Sequence, residues 1–318
     1  MENKIINFNK IRVVWNLTNR CPFKCAMCVA SANNRIERNV DKYQILQSIF
    51  SVGLKNISID FSGGDPLFID EDIEIVKKAS QTIGRENISI SSTGLSISKF
   101  TDEEVISLAN SYDMTYDFPK QYCEDDIRDK RYNSINYDQC IRLKKLGLNV
   151  DVFVPIRDID NIYLEQLAKD ICEISPSSVK LLKCMPLNNN FNTDKIDSVN
   201  KVIIFKKYLR EYGYIGDIKI NCALKEDFNI NDNCNMLTER KVGLDQFGNL
   251  YTCIWASDLL IEKKDNPFYL GSLVQNSLLD ILNSFELSNK LNKINENRHK
   301  CYVLEFYNKS VKKTIQSE

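Results

Sequence analysis

From Leu17 to Cys28 the sequence reads LTNRCPFKCAMC, which places Cys21, Cys25 and Cys28 in a CxxxCxxC pattern. The apolar run from Ile11 to Leu17 predicts a buried β-strand, so the three cysteines follow on the loop after it. Thiolates at this spacing can hold three irons of a [4Fe-4S] cluster and leave the fourth iron open to another ligand. A structural zinc site is the alternative, but closed zinc sites use four ligands and no histidine is nearby.

The composition favours a reducing compartment for these cysteines. The chain has 318 residues, 43% of them hydrophobic, which suffices for a sizeable core. Its net charge of −1 gives no field that would attract nucleic acid or an anionic membrane, and no apolar run approaches a membrane span or a signal peptide. We therefore predict a cytoplasmic protein without nucleic-acid or membrane partners. Eleven cysteines and one histidine then favour metal or cluster binding over disulfides.

Strand and helix patterns alternate up to about residue 184, which is typical of parallel βα units. The predicted strands are Ile11 to Leu17, Asn56 to Phe61, Asn87 to Ser92, Met114 to Phe118, Asn149 to Val154 and Val179 to Lys183. The predicted helices are Asp41 to Val52, Glu71 to Gln81, Asp102 to Ser111, Tyr137 to Leu146, Tyr163 to Cys172 and Val199 to Tyr212. Six units are too few for a complete eight-stranded barrel, so we predict an α/β fold with a partial (β/α)6 TIM-like barrel.

A smaller unit is predicted to follow this barrel. We assign residues 1–212 to the barrel and residues 213–318 to a small α+β domain with the C-terminal tail. The later stretch VGLDQFGNLYTCIW, residues 242–255, predicts a β-hairpin whose turn contains Gly248. Functional side chains are expected at the carboxyl ends of the barrel strands, where such folds place their sites.

Glycines and small polar residues follow the second and third predicted strands. DFSGGDPL, residues 60–67, contains two glycines that let the backbone approach a ligand closely, and SISSTGL, residues 89–95, follows one βα unit later. Taken alone, each stretch has the composition of an ordinary turn or loop. Together with the cysteine loop they resemble the radical S-adenosylmethionine (radical SAM) superfamily, whose CxxxCxxC signature follows the first strand of a partial (β/α)6 barrel.

The resemblance implies a SAM site. In the family a GGEP motif meets the methionyl amino group, and Asp65 stands here where glutamate is usual. Met27 replaces the aromatic residue near the adenine. Asp117, at the end of the fourth predicted strand, is either a SAM or substrate contact or a solvated loop acid. The SAM contacts implied by resemblance are Met27, Gly63, Gly64, Asp65, Pro66, Ser92 and Thr93.

A second cysteine group lies in the predicted small domain. Cys234, Gly248 and Cys253 form a C-x13-G-x4-C pattern, and the hairpin brings two thiolates to one end of a short sheet. The pattern resembles the opening of a SPASM or twitch domain, with the shortened twitch form the better match. It implies an auxiliary [4Fe-4S] cluster with Cys222 and Cys301 as further ligands; His299 is an alternative fourth ligand and zinc an alternative metal.

The resemblance implies an enzyme. A reduced cluster, supplied with electrons by a flavodoxin or ferredoxin, would cleave SAM to methionine and a 5′-deoxyadenosyl radical that abstracts a hydrogen atom from the substrate. Peptide maturation such as crosslink formation is the first hypothesis, although only twenty residues precede Cys21, fewer than a leader-binding domain needs. The alternatives are a dehydrogenase or epimerase of a sugar or aminocyclitol, and a zinc-stapled binding protein without catalysis.

The remaining cysteines have two interpretations. Cys140 and Cys172 fall in predicted helices and are expected to be small core residues. Cys184 directly follows the sixth predicted strand at the barrel rim, where it is either a buried structural residue or a hydrogen-atom donor to a substrate radical.

Overall fold

In the computed structural model of the chain, parallel β-strands alternate with helices through most of its length. The structure describes residues 10–33, 40–122, 127–185, 196–230, 241–258, 266–284 and 301–311. The strands are β1 (Ile11–Thr18), β2 (Ile57–Gly63), β3 (Ile88–Ser91), β4 (Ser111–Thr115), β5 (Asn149–Ile156), β6 (Ser178–Lys183), β7 (Asp217–Ile220), β8 (Lys241–Leu244), β9 (Asn249–Tyr251) and β10 (Tyr269–Ser272).

The helices lie between these strands and after them. They are α1 (Lys42–Phe50), α2 (Asp70–Ile83), α3 (Gly94–Ile97), α4 (Asp102–Leu108), α5 (Tyr132–Lys145), α6 (Asn161–Ile174), α7 (Ser198–Glu211), α8 (Cys222–Lys225), α9 (Leu278–Leu282) and α10 (Tyr302–Phe306). Short 3-10 turns occupy Leu54–Asn56, Arg85–Asn87, Glu226–Phe228 and Ile254–Asp258, and a π turn occupies Tyr307–Val311. None of the described helices combines the length and apolarity that a membrane crossing requires.

All ten described strands belong to one sheet, in the order β10-β9-β8-β1-β2-β3-β4-β5-β6-β7. Neighbours from β8 through β7 are parallel, and the β8–β9 and β9–β10 pairs are antiparallel. Parallel strands with helical crossovers give the α/β class, so the predicted fold class is confirmed. The carboxyl ends of the parallel strands therefore meet along one edge, which is where such folds place their sites.

The core lies between the sheet and its helices. In β1 the alternate residues Val13, Trp15 and Leu17 are fully buried, because alternate side chains of a strand point to the same face. Ile45 and Ile49 of α1 are also fully buried, since residues four apart share a helix face. Trp15 is thus a packing residue.

Five of the six predicted strands lie within two residues of the observed limits, and the fourth is displaced by three residues. β4 spans Ser111–Thr115 and not Met114 to Phe118. Tyr116 and Phe118, which follow the strand, are also buried. The apolar pattern of the sequence therefore did not show where the strand ends. Because β4 begins at Ser111, α4 ends earlier than predicted, at Leu108.

Two strand pairings were not predicted. β7 adds a seventh parallel strand beside β6, and β8 of the expected hairpin pairs in parallel with β1. The hairpin itself is confirmed: β8 and β9 are antiparallel, with Gly248 in the turn at a φ of 79°. One sheet therefore runs through both parts of the chain, and the division at residue 212 stays a prediction.

Candidate functional site

A cavity of about 510 Å³ opens at the carboxyl ends of the strands. It joins the loops after β1, β2, β3 and β6 to the start of α8 and the residues beyond β9. Both cysteine groups line this one cavity, so the fold brings together residues 280 positions apart. The described cysteines on its wall are Cys21, Cys25, Cys28, Cys184, Cys222, Cys253 and Cys301.

Asn33 holds the first cysteine loop in shape. Its side-chain Oδ1 accepts the N–H of Cys21 at 3.0 Å, and its Nδ2 donates to the carbonyls of Cys21 at 2.8 Å and Phe23 at 3.1 Å. Asn33 adopts a φ of 66°, a left-handed conformation that asparagine tolerates better than most residues. Sequence reasoning missed Asn33, because nothing in its neighbourhood indicates that it reaches back twelve positions.

Gly63, the last residue of β2, and Gly64 fix the cysteine loop against β2. The Gly64 N–H donates to Thr18 O at 2.7 Å, and the Asp65 N–H donates to Arg20 O at 2.8 Å. A Cβ on Gly64 would lie 2.3 Å from Arg20 O, and Gly63 adopts a φ of 112° that favours glycine. Both glycines also line the cavity. They therefore serve the chain's own packing as well as any ligand.

Asp65 joins the loops after β2 and β3. Its Oδ1 accepts the Ser92 hydroxyl at 2.6 Å and the Leu67 N–H at 3.1 Å, and its Oδ2 accepts the hydroxyl of Thr93 at 2.6 Å and its N–H at 3.2 Å. Complete burial raises the pKa of Asp65, and these hydrogen bonds oppose the rise. Neither Asp65 nor Pro66 lines the cavity, whereas Ser92, Thr93 and Met27 do.

Asp117 lies behind Arg128. The Nε and Nη2 of Arg128 donate to Asp117 Oδ2 at 3.2 and 3.0 Å, and Nη1 donates to Cys25 Sγ at 3.0 Å. Arg157 lies on the other side of the same carboxylate, with its Nε 3.6 Å from Oδ2. The two guanidinium groups hold the pKa of Asp117 below its usual value although burial raises it. The structure thus connects Asp117 to the cysteine loop through Arg128.

Burial keeps the thiols of Cys21 and Cys25 protonated in the absence of metal. It raises the pKa of Cys21 to about 12 and also raises the pKa of Cys25, where Arg128 opposes the rise. Cluster binding would replace these protons, because the thiolate is the form that ligates metals. Thiol donors on a cavity wall fit a [4Fe-4S] cluster.

No three described His, Cys, Asp or Glu side chains converge as the ligands of a single metal ion do. A cubic cluster does not require such convergence, since its thiolates bind different irons.

The second cysteine group comes together from three distant segments. Cys222 begins α8, Cys253 follows β9 and Cys301 precedes α10. The Cys301 thiol donates to Cys222 and lowers the pKa of Cys222 to about 7, and this hydrogen bond raises the pKa of Cys301. The Cys301 N–H also donates to Glu226 Oε1. The other two candidate ligands, Cys234 and His299, lie outside the described residues.

The thiol of Cys184 faces the same cavity. It donates to Ile156 O at 3.3 Å, and burial raises its pKa to about 12, so the side chain carries its proton at neutral pH. Cys140 is fully buried in α5 and Cys172 half-buried in α6, as expected for packing residues. Cys123 lies outside the described residues.

Charged residues inside the sheet form the floor of the cavity. Arg12 pairs with Asp60 at 2.6 Å, and Lys180 contacts Asp151 at 2.7 Å and Asp113 at 3.4 Å. Burial raises the pKa of Asp113 to about 6, and the neighbouring carboxylates add to this effect. Sequence reasoning missed this floor. The sequence did contain an indication of it, because single charged residues stand inside otherwise apolar strands. Alternation along a strand puts such residues on one face of the sheet.

Solved structures with a similar fold are radical SAM enzymes. Streptococcus suis SuiB bound to precursor peptide SuiA matches with a TM-score of 0.70 and 13% identity, over 89% of this chain and 67% of SuiB. The anSMEcpe structure with AdoMet and the Cp18Cys peptide gives 0.61 and 15%, over 88% of this chain and 82% of that one. Methylornithine synthase (PylB) gives 0.52 and 12%, over 95% and 86%. At these identities the likeness concerns the fold.

The family assignment comes from sequence. No curated protein matches the chain. The model of the Radical SAM superfamily matches residues 15–171, from within β1 through the CxxxCxxC loop to α6. This region contains the three cysteines, both glycines and the loop after β3. The chain belongs to the radical SAM superfamily and is an enzyme of the class that uses a [4Fe-4S] cluster and SAM.

Proposed function

We propose that the chain modifies a peptide by radical SAM chemistry with two [4Fe-4S] clusters. In this proposal Cys21, Cys25 and Cys28 bind the cluster that contacts SAM. The auxiliary cluster is bound by Cys222, Cys253 and Cys301, with Cys234 as the candidate fourth ligand. Residues 1–212 then provide the SAM site and residues 213–318 the auxiliary site, and a flavodoxin or ferredoxin supplies electrons.

The observation that carries this proposal is the single cavity lined by both cysteine groups. A zinc-stapled fold has no need to expose two thiol groups to one internal space, because structural zinc sites are closed. An enzyme that shields a radical does need such a space, with its cofactor on the wall and its substrate inside. The lowered pKa of Cys222 beside Cys301 further supports a ligand role for this pair.

The chain's own residues bind and orient in this mechanism. When bound, the cluster and SAM supply the reductive chemistry that forms the 5′-deoxyadenosyl radical. Gly63 and Gly64 leave room for a ligand beside the cysteine loop, and Asp65 holds Ser92 and Thr93 at the cavity wall. Met27, which is 8% exposed, adds an apolar contact there. The segments after β7 and β9 also line the cavity and would shield a bound substrate from water.

The peptide substrate is supported by two structures of similar fold, SuiB with precursor peptide SuiA and anSMEcpe with the Cp18Cys peptide. Cys184 favours a second candidate, epimerisation of a peptide or sugar centre. A neutral thiol that faces the cavity can return a hydrogen atom to a substrate radical, which leaves the substrate at its original oxidation level. The thiyl radical formed on Cys184 would then take one electron from the flavodoxin or ferredoxin and one proton from solvent.

Cluster binding is tested by iron and sulfide analysis of anaerobically reconstituted protein, with 5′-deoxyadenosine measured after addition of SAM and dithionite. The proposal expects about eight irons per chain and deoxyadenosine formation. Joint replacement of Cys21, Cys25 and Cys28 by alanine should leave about four irons and abolish deoxyadenosine. Cys172→Ala, a matched change remote from the cavity, should retain both properties. Zinc in place of iron, or cleavage that survives the triple replacement, would contradict the assignment.

The substrate is tested with the short peptides encoded beside the gene. Each peptide is incubated with reduced enzyme and SAM in D2O, and its mass is measured. Loss of two hydrogens indicates a crosslink or dehydrogenation, and gain of one deuterium indicates epimerisation. A Cys184→Ala variant should lose the deuterium but not the hydrogen abstraction. Consumption of an aminocyclitol or sugar, with every peptide unchanged, would refute the peptide proposal.

A further inference from the structure

We propose that Arg128 is a positioning residue that raises the reduction potential of the first cluster through Cys25. The inference rests on the proposed function, because it takes Cys25 as a cluster ligand. It goes further by assigning to Arg128 and Asp117 a control over how readily that cluster accepts an electron. No residue of the CxxxCxxC pattern itself supplies this control.

The guanidinium of Arg128 is held on three sides. Its Nη1 donates to Cys25 Sγ at 3.0 Å, and its Nε and Nη2 donate to Asp117 Oδ2. Its flat face lies 4.3 Å from the centre of the Tyr132 ring, which in turn contacts Phe23 of the cysteine loop. Arg128 is only 9% exposed, so these contacts are largely shielded from water.

This arrangement acts on the reduced form of the cluster more than on the oxidised form. Reduction adds one electron, whose charge is spread partly over the ligand sulfurs. A buried N–H donor to such a sulfur stabilises the added charge, and hydrogen bonds to sulfur are among the factors that set cluster potentials. The low local dielectric strengthens the effect. Arg128 should therefore favour the reduced cluster.

Asp117 limits the same effect. Its carboxylate is 1% exposed and ionised, since the two neighbouring arginines hold its pKa below the usual value. Part of the positive charge of Arg128 is thereby neutralised. Replacing Arg128 and replacing Asp117 should consequently shift the potential in opposite directions. A purely structural role predicts no such opposition, because loss of either partner then only loosens the loop.

The test is an EPR-monitored redox titration of reconstituted full-length protein with dithionite, before SAM is added. A parallel sample with SAM identifies the first cluster as the one whose signal SAM changes. In Arg128→Gln we expect the ratio of reduced to oxidised first cluster at a fixed potential to fall about tenfold, which is 59 mV for a one-electron couple. Arg128→Lys should give a smaller change and Asp117→Asn a change of opposite sign.

Arg131→Gln is the matched control, because Arg131 lies three residues from Arg128, its side chain is 62% exposed and it contacts Asp129. Its titration should equal that of the unmodified protein. Iron content and urea unfolding show whether each variant folds. If Arg128→Gln does not fold, the potential of Arg128→Lys is used to test the inference. Equal potentials in all variants, or shifts of the same sign in Arg128→Gln and Asp117→Asn, would overturn the inference while leaving the proposed function intact. Absence of a SAM-sensitive cluster in the unmodified protein would refute both.

Discussion

At the scale of single residues, Asp65 links the loops after β2 and β3 through one carboxylate. Each of its oxygens accepts a backbone N–H, from Leu67 and from Thr93. In Asp65→Asn one of these N–H groups must face the amide nitrogen, which cannot accept a hydrogen bond. We expect a loss of about 3 kcal/mol of unfolding free energy, measured by urea denaturation.

The same change at an exposed position is the control for Asp65. Asp70→Asn in the first turn of α2 should cost only a few tenths of a kcal/mol, because it weakens a surface interaction with the helix dipole. Equal losses of unfolding free energy in the two variants would show that the Asp65 hydrogen bonds contribute no more to stability than a surface interaction does.

Asp113 should make stability depend on pH. Its pKa is raised to about 6 by burial and by Asp60 and Asp151, against the opposing charges of Lys180 and Arg12. The neutral form is therefore the favoured one: its stabilising contribution is complete below the unfolded pKa of 3.8 and is lost as the pH rises through about 6.

Asp113→Asn imitates that neutral form permanently. We expect the variant to be more stable than the unmodified protein by roughly 2–3 kcal/mol at pH 8 and by about half as much at pH 5, from urea unfolding at both values. A variant that is less stable at pH 8 would show that the Lys180 contact outweighs burial.

Whether a site residue could be predicted from the sequence depends on how far away in the sequence its interaction partners lie. Cysteine spacing and the paired glycines are local, and they were recognisable in the sequence. Asn33, Arg128 and the charged floor act only through residues that the fold brings to them, such as Cys25, which lies 103 positions from Arg128. Asp65 was recognised for its position, but its hydrogen bonds to the next loop emerge only from the fold.

At the scale of elements, the junction between β2 and the cysteine loop depends on the absence of a side chain. In Gly64→Ala the new methyl group would lie 2.3 Å from the Arg20 carbonyl, so the loop must move away from β2. We expect the iron of the first cluster to fall by more than half, measured with sulfide after reconstitution. The physical reason is that Cys21 directly follows Arg20.

Gly147→Ala provides the comparison for that variant. Gly147 follows α5 with a φ of 74°, and a Cβ there meets nothing within 4 Å. The substitution should reduce stability by about 1 kcal/mol and leave the iron content unchanged. Retention of full iron content in Gly64→Ala would show that the loop tolerates the displacement.

The accuracy of the predicted elements follows their length and periodicity. Helices α2 and α6 have 14 residues each with a clear apolar face, and both lie within three residues of the predicted limits. β7 has only four residues, alternately exposed and half-buried, so nothing in its sequence separated it from a loop. Pairing of β8 with β1 is a property of the tertiary fold and has no local signal.

At the scale of the whole molecule, the ten described strands form one sheet that reaches both cysteine groups. Removing everything after residue 230 would delete β8, β9 and β10 and leave one edge of β1 unpaired from Arg12 to Trp15. An unpaired apolar edge is a template for aggregation. We expect the 1–230 fragment to elute as aggregates in size-exclusion chromatography while the full chain remains monodisperse. A folded fragment with the urea midpoint of the full chain would instead support independent domains.

The β1–β8 pairing also determines how long β1 lacks its partner strand while the chain is synthesised. Arg12 pairs with Lys241, which follows 229 residues later, so translation at about 5–20 residues per second separates the two strands by roughly 10–50 s. During this interval the nascent chain carries β1 without its β8 partner along one edge. Cys301 emerges later still. The cavity that both cysteine groups line is therefore complete only after nearly the whole chain has been synthesised.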